Sequence, residues 1–215
     1  MAGSSLFANL ARGAKVIALL LFLLPWVTVS CSPDAANQAM GQTGANATPM
    51  PSELAGGIPI ARASGLGLAT GDVTLLTDNM PQSESSGARP TFEPEIGVIA
   101  GAALILLALL GSFLKGGTGA IIGIAGSVLA AGALIFSVFM HFPDAARAAL
   151  AASNTHSAGG AGNPTPEQIA QIIQVKPEIG FWLVLVVLLL AVVLNVLAMR
   201  KTSAPAQTGS PPPAV

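Results

Sequence analysis

Four apolar runs, separated by polar stretches, set the pattern of this chain: Val16 to Ser30, Ile96 to Leu114, Gly119 to Phe142 and Ile179 to Met199. The last three are 19 to 24 residues long, enough for a helix to cross a hydrocarbon core of about 30 Å. The first run is shorter, but Leu6, Phe7 and Leu10 precede it at helical spacing, so its helix can begin as an amphipathic turn before the bilayer. The fold class expected is an all-α membrane protein, a four-transmembrane-helix bundle.

The polar segments divide the rest. Residues 1–15 form a lead, 16–30 the first span, 31–95 a long loop, 96–114 the second span and 115–118 a tight turn. Residues 119–142 form the third span, 143–178 a second loop, 179–199 the fourth span and 200–215 a Pro/Ser/Thr/Ala tail expected to be disordered. Charge follows this division. All ten acidic residues lie in the two loops, where four basic residues accompany them, whereas Arg12, Lys15, Lys115, Arg200 and Lys201 flank the opposite ends with no acid. The positive-inside bias then places both termini and the 115–118 turn in the cytoplasm.

Within the first loop, Trp26-Val-Thr-Val-Ser30 alternates as a strand does, and residues 33–62 are Pro/Ala/Gly/Thr/Asn-rich without period, the composition of a mobile loop. Leu66, Leu68, Val73 and Leu75 alternate around Gly71-Asp72 and predict a hairpin at 63–77. Paired with the 26–30 strand it would make a small β patch over the outer mouth. In the second loop Ala145 to Ala152 predicts a short helix continuing the third span. Thr165-Pro166-Glu167 followed by Ile169, Ile172 and Ile173 predicts a second short helix, on the membrane surface.

Composition agrees with a core shared with lipid: 52% of the 215 residues are hydrophobic and 9% charged. Neither side carries a dense Lys/Arg cluster, so no nucleic-acid partner is expected. The lone Cys31 cannot close an intrachain disulfide. Arg12 and Lys15, an apolar stretch and Ser30-Cys31 also have the order of a lipoprotein signal peptide, which makes Cys31 a candidate lipidation site. Thr28 stands where leucine is usual and Pro25-Trp26 interrupts the apolar stretch, so an uncleaved first helix is preferred. Cleavage would leave three helices and an N-terminal lipid.

Chemistry is sparse. No ionisable group falls inside the four runs except His141, at the outer end of the third, and a helix C-terminus accounts for an imidazole there. No His-x-x-x-His or comparable spacing joins it to His156 or Cys31, so no metal, cofactor or catalytic residue is assigned and the chain is expected not to be an enzyme. Glu95 and Glu178 begin the second and fourth spans, in Pro94-Glu95-Ile96-Gly97 and Pro177-Glu178-Ile179-Gly180. Proline and acid at a helix start explain both; an internal duplication is the second explanation.

The clearest signal is a small-residue stripe on the third span, Gly119, Gly123, Ser127 and Ala131, facing Gly97 and Gly101 on the second. Small residues let helix backbones approach, so the two spans are expected to pack together; homo-oligomerisation through the same stripe is the alternative. The Leu/Val-rich fourth span is expected to face lipid or pack loosely, with Asn195 as its candidate polar contact.

Pro25-Trp26-x-x-x-Ser30-Cys31 followed by Ser64-Gly65-x-x-Leu68-Ala69-x-Gly71 resembles uncharacterised bacterial multi-span membrane proteins with a PW-x-x-x-SC exit and an SG-x-x-LA-x-G segment. The likeness covers about the first third of the chain and implies no activity. The long first and shorter second loop also resemble the tetraspan topology of claudins, although the claudin Gly-Leu-Trp and paired cysteines are absent. The expected function is that of a non-catalytic bacterial inner-membrane protein, an interaction or accessory subunit acting through its outer loops. Its partners would be membrane lipid and another protein or a second copy. A transporter or channel subunit is the alternative, and would gather Asn195, Thr28, Ser112 and Ser137 around one polar path.

Overall fold

The computed structural model describes residues 2–31, 58–76, 92–114, 117–155 and 173–202. The expected loop at 33–62, the linker that Pro81, Ser83, Ser85, Ser86, Gly87 and Pro90 lead one to expect at 78–94, the C-terminal tail, His156 and most of the expected 165–173 helix lie largely or wholly outside these residues. Only Ile173 of that last segment is described, and it is in a strand.

The first helix, α1, runs Ala2–Leu20 and tightens into a 3-10 turn at Leu21–Leu23. The expected span 16–30 is therefore displaced: the apolar helical stretch is Leu6–Leu23. Pro25 explains the difference. The residue before a proline is sterically disfavoured in helical geometry, and Leu24 is extended at φ −77°, ψ 158°. The chain continues as strand β1, Pro25–Cys31.

Strand β2, Ile58–Ser64, pairs antiparallel with β1, with Thr28 opposite Arg62. The hairpin expected at 63–77 is interrupted by a helix, α2, at Gly65–Thr70. Ser64 caps it by accepting from the Gly67 N–H at 2.9 Å, and Gly71 ends it in the left-handed conformation at φ 78°. The two-residue strand β3, Thr74–Leu75, then returns to pair with β2. Strand β4, Ile173–Pro177, comes from the second loop and pairs with the free edge of β1, giving the order β3-β2-β1-β4. The sheet thus consists of three strands of five to seven residues plus the short β3.

The remaining helices are α3, Ile96–Gly111; α4, Gly117–Phe136; α5, Phe142–Thr155; and α6, Ile179–Thr202. A π-helical turn at Ser137–His141 joins α4 to α5. Pro143 supplies its cause: proline has no N–H and its ring crowds the preceding turn, and widening that turn is a common accommodation. Phe142 N–H accordingly reaches back five residues to the Ser137 carbonyl.

Among the described residues three stretches, Leu6–Leu23, Gly117–Ala149 and Ile179–Arg200, are long and apolar enough to cross a membrane, and α3 is a shorter apolar helix of 16 residues. α6 packs on α1 and α4, and α4 packs on α3. Each helix buries one stripe at three- and four-residue intervals: Ala11, Ala14, Ala18 and Phe22; Val98, Gly101, Ile105 and Ala108; Gly123, Ser127, Ala130 and Leu134; Phe181, Val184, Leu188 and Ala191. That spacing is the seam of left-handed helix packing. The fourth span is therefore packed along one face, against the expectation of loose or lipid-only contact, while Val186, Leu189, Leu190 and Val193 face outward.

The sheet closes one end of the bundle. Trp26, Val27 and Val29 of β1 are essentially fully buried, with Thr28 and Ser30 nearly so. The Trp26 ring lies 4.4 Å from Phe22 and 5.9 Å from Phe181, centre to centre, and its Nε1–H donates to the Leu21 carbonyl at 3.0 Å.

Candidate functional site

Two polar clusters lie at opposite ends of the helices. At the sheet end, Glu95 occupies the N-cap position of α3, yet its side chain makes no capping bond. Its carboxylate instead points across to the π turn. Ser137 Oγ donates to Oε1 at 2.8 Å, and His141 Nδ1 lies 2.9 Å from Oε1 and 3.1 Å from Oε2. The Glu95 side chain is 4% exposed and that of His141 62%. A buried carboxylate is thus held by a hydroxyl and by an imidazole open to its surroundings, which is how a buried acid avoids an unsatisfied charge. The Glu95 N–H donates to the Leu68 carbonyl at 2.8 Å, so the same residue fixes α2 to the bundle.

Glu178 repeats this arrangement at the start of α6. Its N–H donates to the Trp26 carbonyl at 2.6 Å and its Oε1 accepts from Thr28 Oγ1 at 2.7 Å. Gly97 and Gly180, two residues after each acid, both sit at close approaches. A β-carbon would come 2.7 Å from Ser137 Cβ at Gly97 and 2.5 Å from the Pro25 carbonyl at Gly180. The two Pro-Glu-Ile-Gly segments are therefore docking points, each clamping an end of the cap to a helix start. Dipole complementarity alone, the expectation from sequence, does not account for their acceptor roles.

At the other end one polar group comes from each long segment. Lys15 on α1 is fully buried, and its Nζ donates to the Ala108 carbonyl at 2.9 Å and to Ser112 Oγ. Arg12, one turn earlier, donates to the Ser112 carbonyl from Nε at 3.1 Å and Nη2 at 2.6 Å and lies 4.6 Å from the Phe113 ring centre. Both cations meet the C-terminal carbonyls of α3, the end that the helix dipole makes negative. Across Gly123, where a β-carbon would fall 2.8 Å from Lys15 Nζ and 3.1 Å from Asn195 Nδ2, the cluster reaches α6. Asn195 is itself buried, donating to the Ala191 carbonyl at 2.8 Å; Ser127 Oγ donates to the Gly123 carbonyl at 2.8 Å.

The sequence places Lys15 only as a basic flank of the first span, and its burial is the main site feature that sequence reasoning missed. The signal was available: Lys15 falls between Ala11 and Ala18 on the buried stripe of α1. Of the small-residue positions, a β-carbon at Gly101 would come 2.5 Å from the Leu134 side chain and one at Gly119 2.6 Å from the Leu114 carbonyl. Gly123 and Ser127 face the bundle interior, and Ala131 is partly buried against the core. Cys31 is the last residue of β1, its backbone paired to both Ile58 and Ile173.

Between the clusters lie Ile105, Ala130, Leu134, Val184 and Leu188, all buried. Thr28 and Ser137 belong to the sheet end and Ser112 and Asn195 to the other, so the four do not converge. No group of three or more His, Cys, Asp or Glu side chains suited to a metal occurs among the described residues. No family model, curated protein or solved structure matches the chain.

Proposed function

We propose that this chain is a non-catalytic tetraspan protein of a bacterial inner membrane, acting as an interaction or accessory subunit through its outer cap. The cap would face the periplasm and both termini the cytoplasm, the orientation favoured by the distribution of Arg and Lys. In this reading α3 is also a span, the second along the chain, its 16 residues extended by Ser112 to Leu114. The observation that carries it is the joining of both outer loops into one sheet, locked to the bundle by Glu95 and Glu178. A rigid outward platform built on an apolar, closely packed bundle suits presentation to a partner. The resemblance of the Pro25-Trp26 and Ser64-Gly65 segments to bacterial multi-span proteins supports the membrane setting and not the role.

The transporter or channel reading draws on one observation, the buried Lys15, because intramembrane ionisable residues often mark an ion or substrate path. The apolar layer between the two clusters weighs against it, as does the use of Gly97, Gly101 and Gly123 for contacts within the chain.

Native mass spectrometry of the full chain, extracted from its own membranes in mild detergent, tests the proposal. A discrete complex with another protein is expected; a self-assembled ring of this chain alone would favour a pore and overturn it.

A further inference from the structure

A groove of about 530 Å³ opens beside the sheet, where α1 ends, within the size range of small-molecule sites. Its lower wall is apolar: Leu23, the last residue of the first membrane-length stretch, is 64% exposed and Leu66 of α2 is 50% exposed. Its upper wall carries one charge of each sign, Arg62 from β2 and Asp72 from the turn after α2. Both are exposed, and neither forms an ion pair with the other or with any other described residue. The Arg62 Nε donates to Thr28 Oγ1 at 3.4 Å, on whose far side Glu178 is bonded, and the two terminal guanidinium nitrogens have no protein partner among the described residues. The Asp72 backbone is pinned by its N–H to the Gly67 carbonyl at 2.8 Å.

Two opposite charges that share one groove without neutralising each other match a ligand that carries both. The apolar wall beginning where the first span ends matches a ligand with hydrocarbon chains in the adjacent leaflet. We propose that this groove seats the headgroup of a phospholipid bearing a phosphate and a primary amine. Arg62 takes the phosphate, Asp72 takes the ammonium, and the acyl chains descend past Leu66 and Leu23. Guanidinium suits a phosphate through its paired donors. A primary ammonium donates hydrogen bonds to a carboxylate, which a quaternary ammonium cannot do. Among the described residues no aromatic ring lines the groove to supply the cation–π cage that a choline group prefers. The inference rests on the bundle lying in a membrane and not on the accessory role.

The test uses the full chain, stripped of lipid in detergent and exposed to equal amounts of phosphatidylethanolamine, phosphatidylcholine and phosphatidylglycerol, with retained lipid counted by native mass spectrometry. Phosphatidylethanolamine is expected to be retained preferentially, and Arg62→Gln and Asp72→Asn each to cut that retention about threefold or more. Helix content by circular dichroism should be unchanged by either variant, both sites being exposed. Leu66→Gln should weaken retention as well. Glycerophosphoethanolamine, the headgroup without chains, should not be retained; its equal retention would assign the groove to a soluble amine phosphate and overturn the lipid. Equal retention of the three lipids, or indifference to both charge variants, would overturn the proposal. Neither result would bear on the protein partner sought above.

Discussion

The indole of Trp26 lies directly against Gly65, so closely that a β-carbon on the glycine would stand 2.5 Å from Cε2. Trp26 leaves the first helix and Gly65 opens the helix within the cap, so this contact seats one on the other. Gly65→Ala should cost about 1–3 kcal/mol through overpacking, and Trp26→Ala about 3–5 kcal/mol through the cavity it leaves. Unfolding by increasing fractions of denaturing detergent would measure both. A neutral Gly65→Ala would mean that the cap sits further from the bundle than described.

Glu95 joins the start of α3 to two other parts of the molecule: α2 through its N–H, and the π turn through Ser137 and His141. Its replacement by alanine removes an acceptor from two donors, and a loss of about 1–3 kcal/mol is expected. His141→Ala should cost less than about 1 kcal/mol, since that side of the pair is exposed and screened. The same denaturing-detergent titration ranks the two variants, and a larger loss at His141 than at Glu95 would reverse the assignment of the buried carboxylate as the organising group.

Lys15 presents the opposite case, a buried cation whose carbonyl acceptor retains other donors. The Ala108 carbonyl also accepts from Ser112 Oγ at 2.7 Å and from the Ser112 N–H at 3.2 Å. Lys15→Met therefore strands no bonded carbonyl, and a change within about 1 kcal/mol is expected, because apolar groups of similar volume often replace buried charges without loss. Loss of a partner complex or of a transport activity in a stably folded Lys15→Met protein would instead make the lysine functional.

Much of the bundle was legible as residue spacing. The close approach of Gly97 and Gly101 to the third span followed from small residues at four-residue intervals. The strand after Trp26 followed from alternation, although the rule for residues before proline was needed to place its start at Pro25. Leu66 and Leu68 misled because alternation over a few residues also fits a short helix; Ser64 as N-cap and Gly71 as left-handed stop were the deciding local signals. The carboxylate partners of Glu95 and Glu178 depend on residues far along the chain, Ser137 and Thr28, and no local pattern encodes such distances. The same holds for the pairing of β1 with β4, in which the second loop completes the first.

That pairing is the central claim, since it requires an uncleaved first helix, an unmodified Cys31 and a cap made from both loops. Cys31 stands opposite Ile173 in the β1–β4 register, and directly opposed strand residues lie within the Cα separation that a disulfide spans. Ile173→Cys, introduced into the otherwise single-cysteine chain and isolated from membranes without reductant, should form an intramolecular disulfide, seen as a reductant-sensitive shift on a denaturing gel. A control cysteine at Gln174, whose register partner is Ser30, should form it far less readily. An Ile173→Cys protein that keeps two free thiols, or that begins at a lipidated Cys31, would contradict the account.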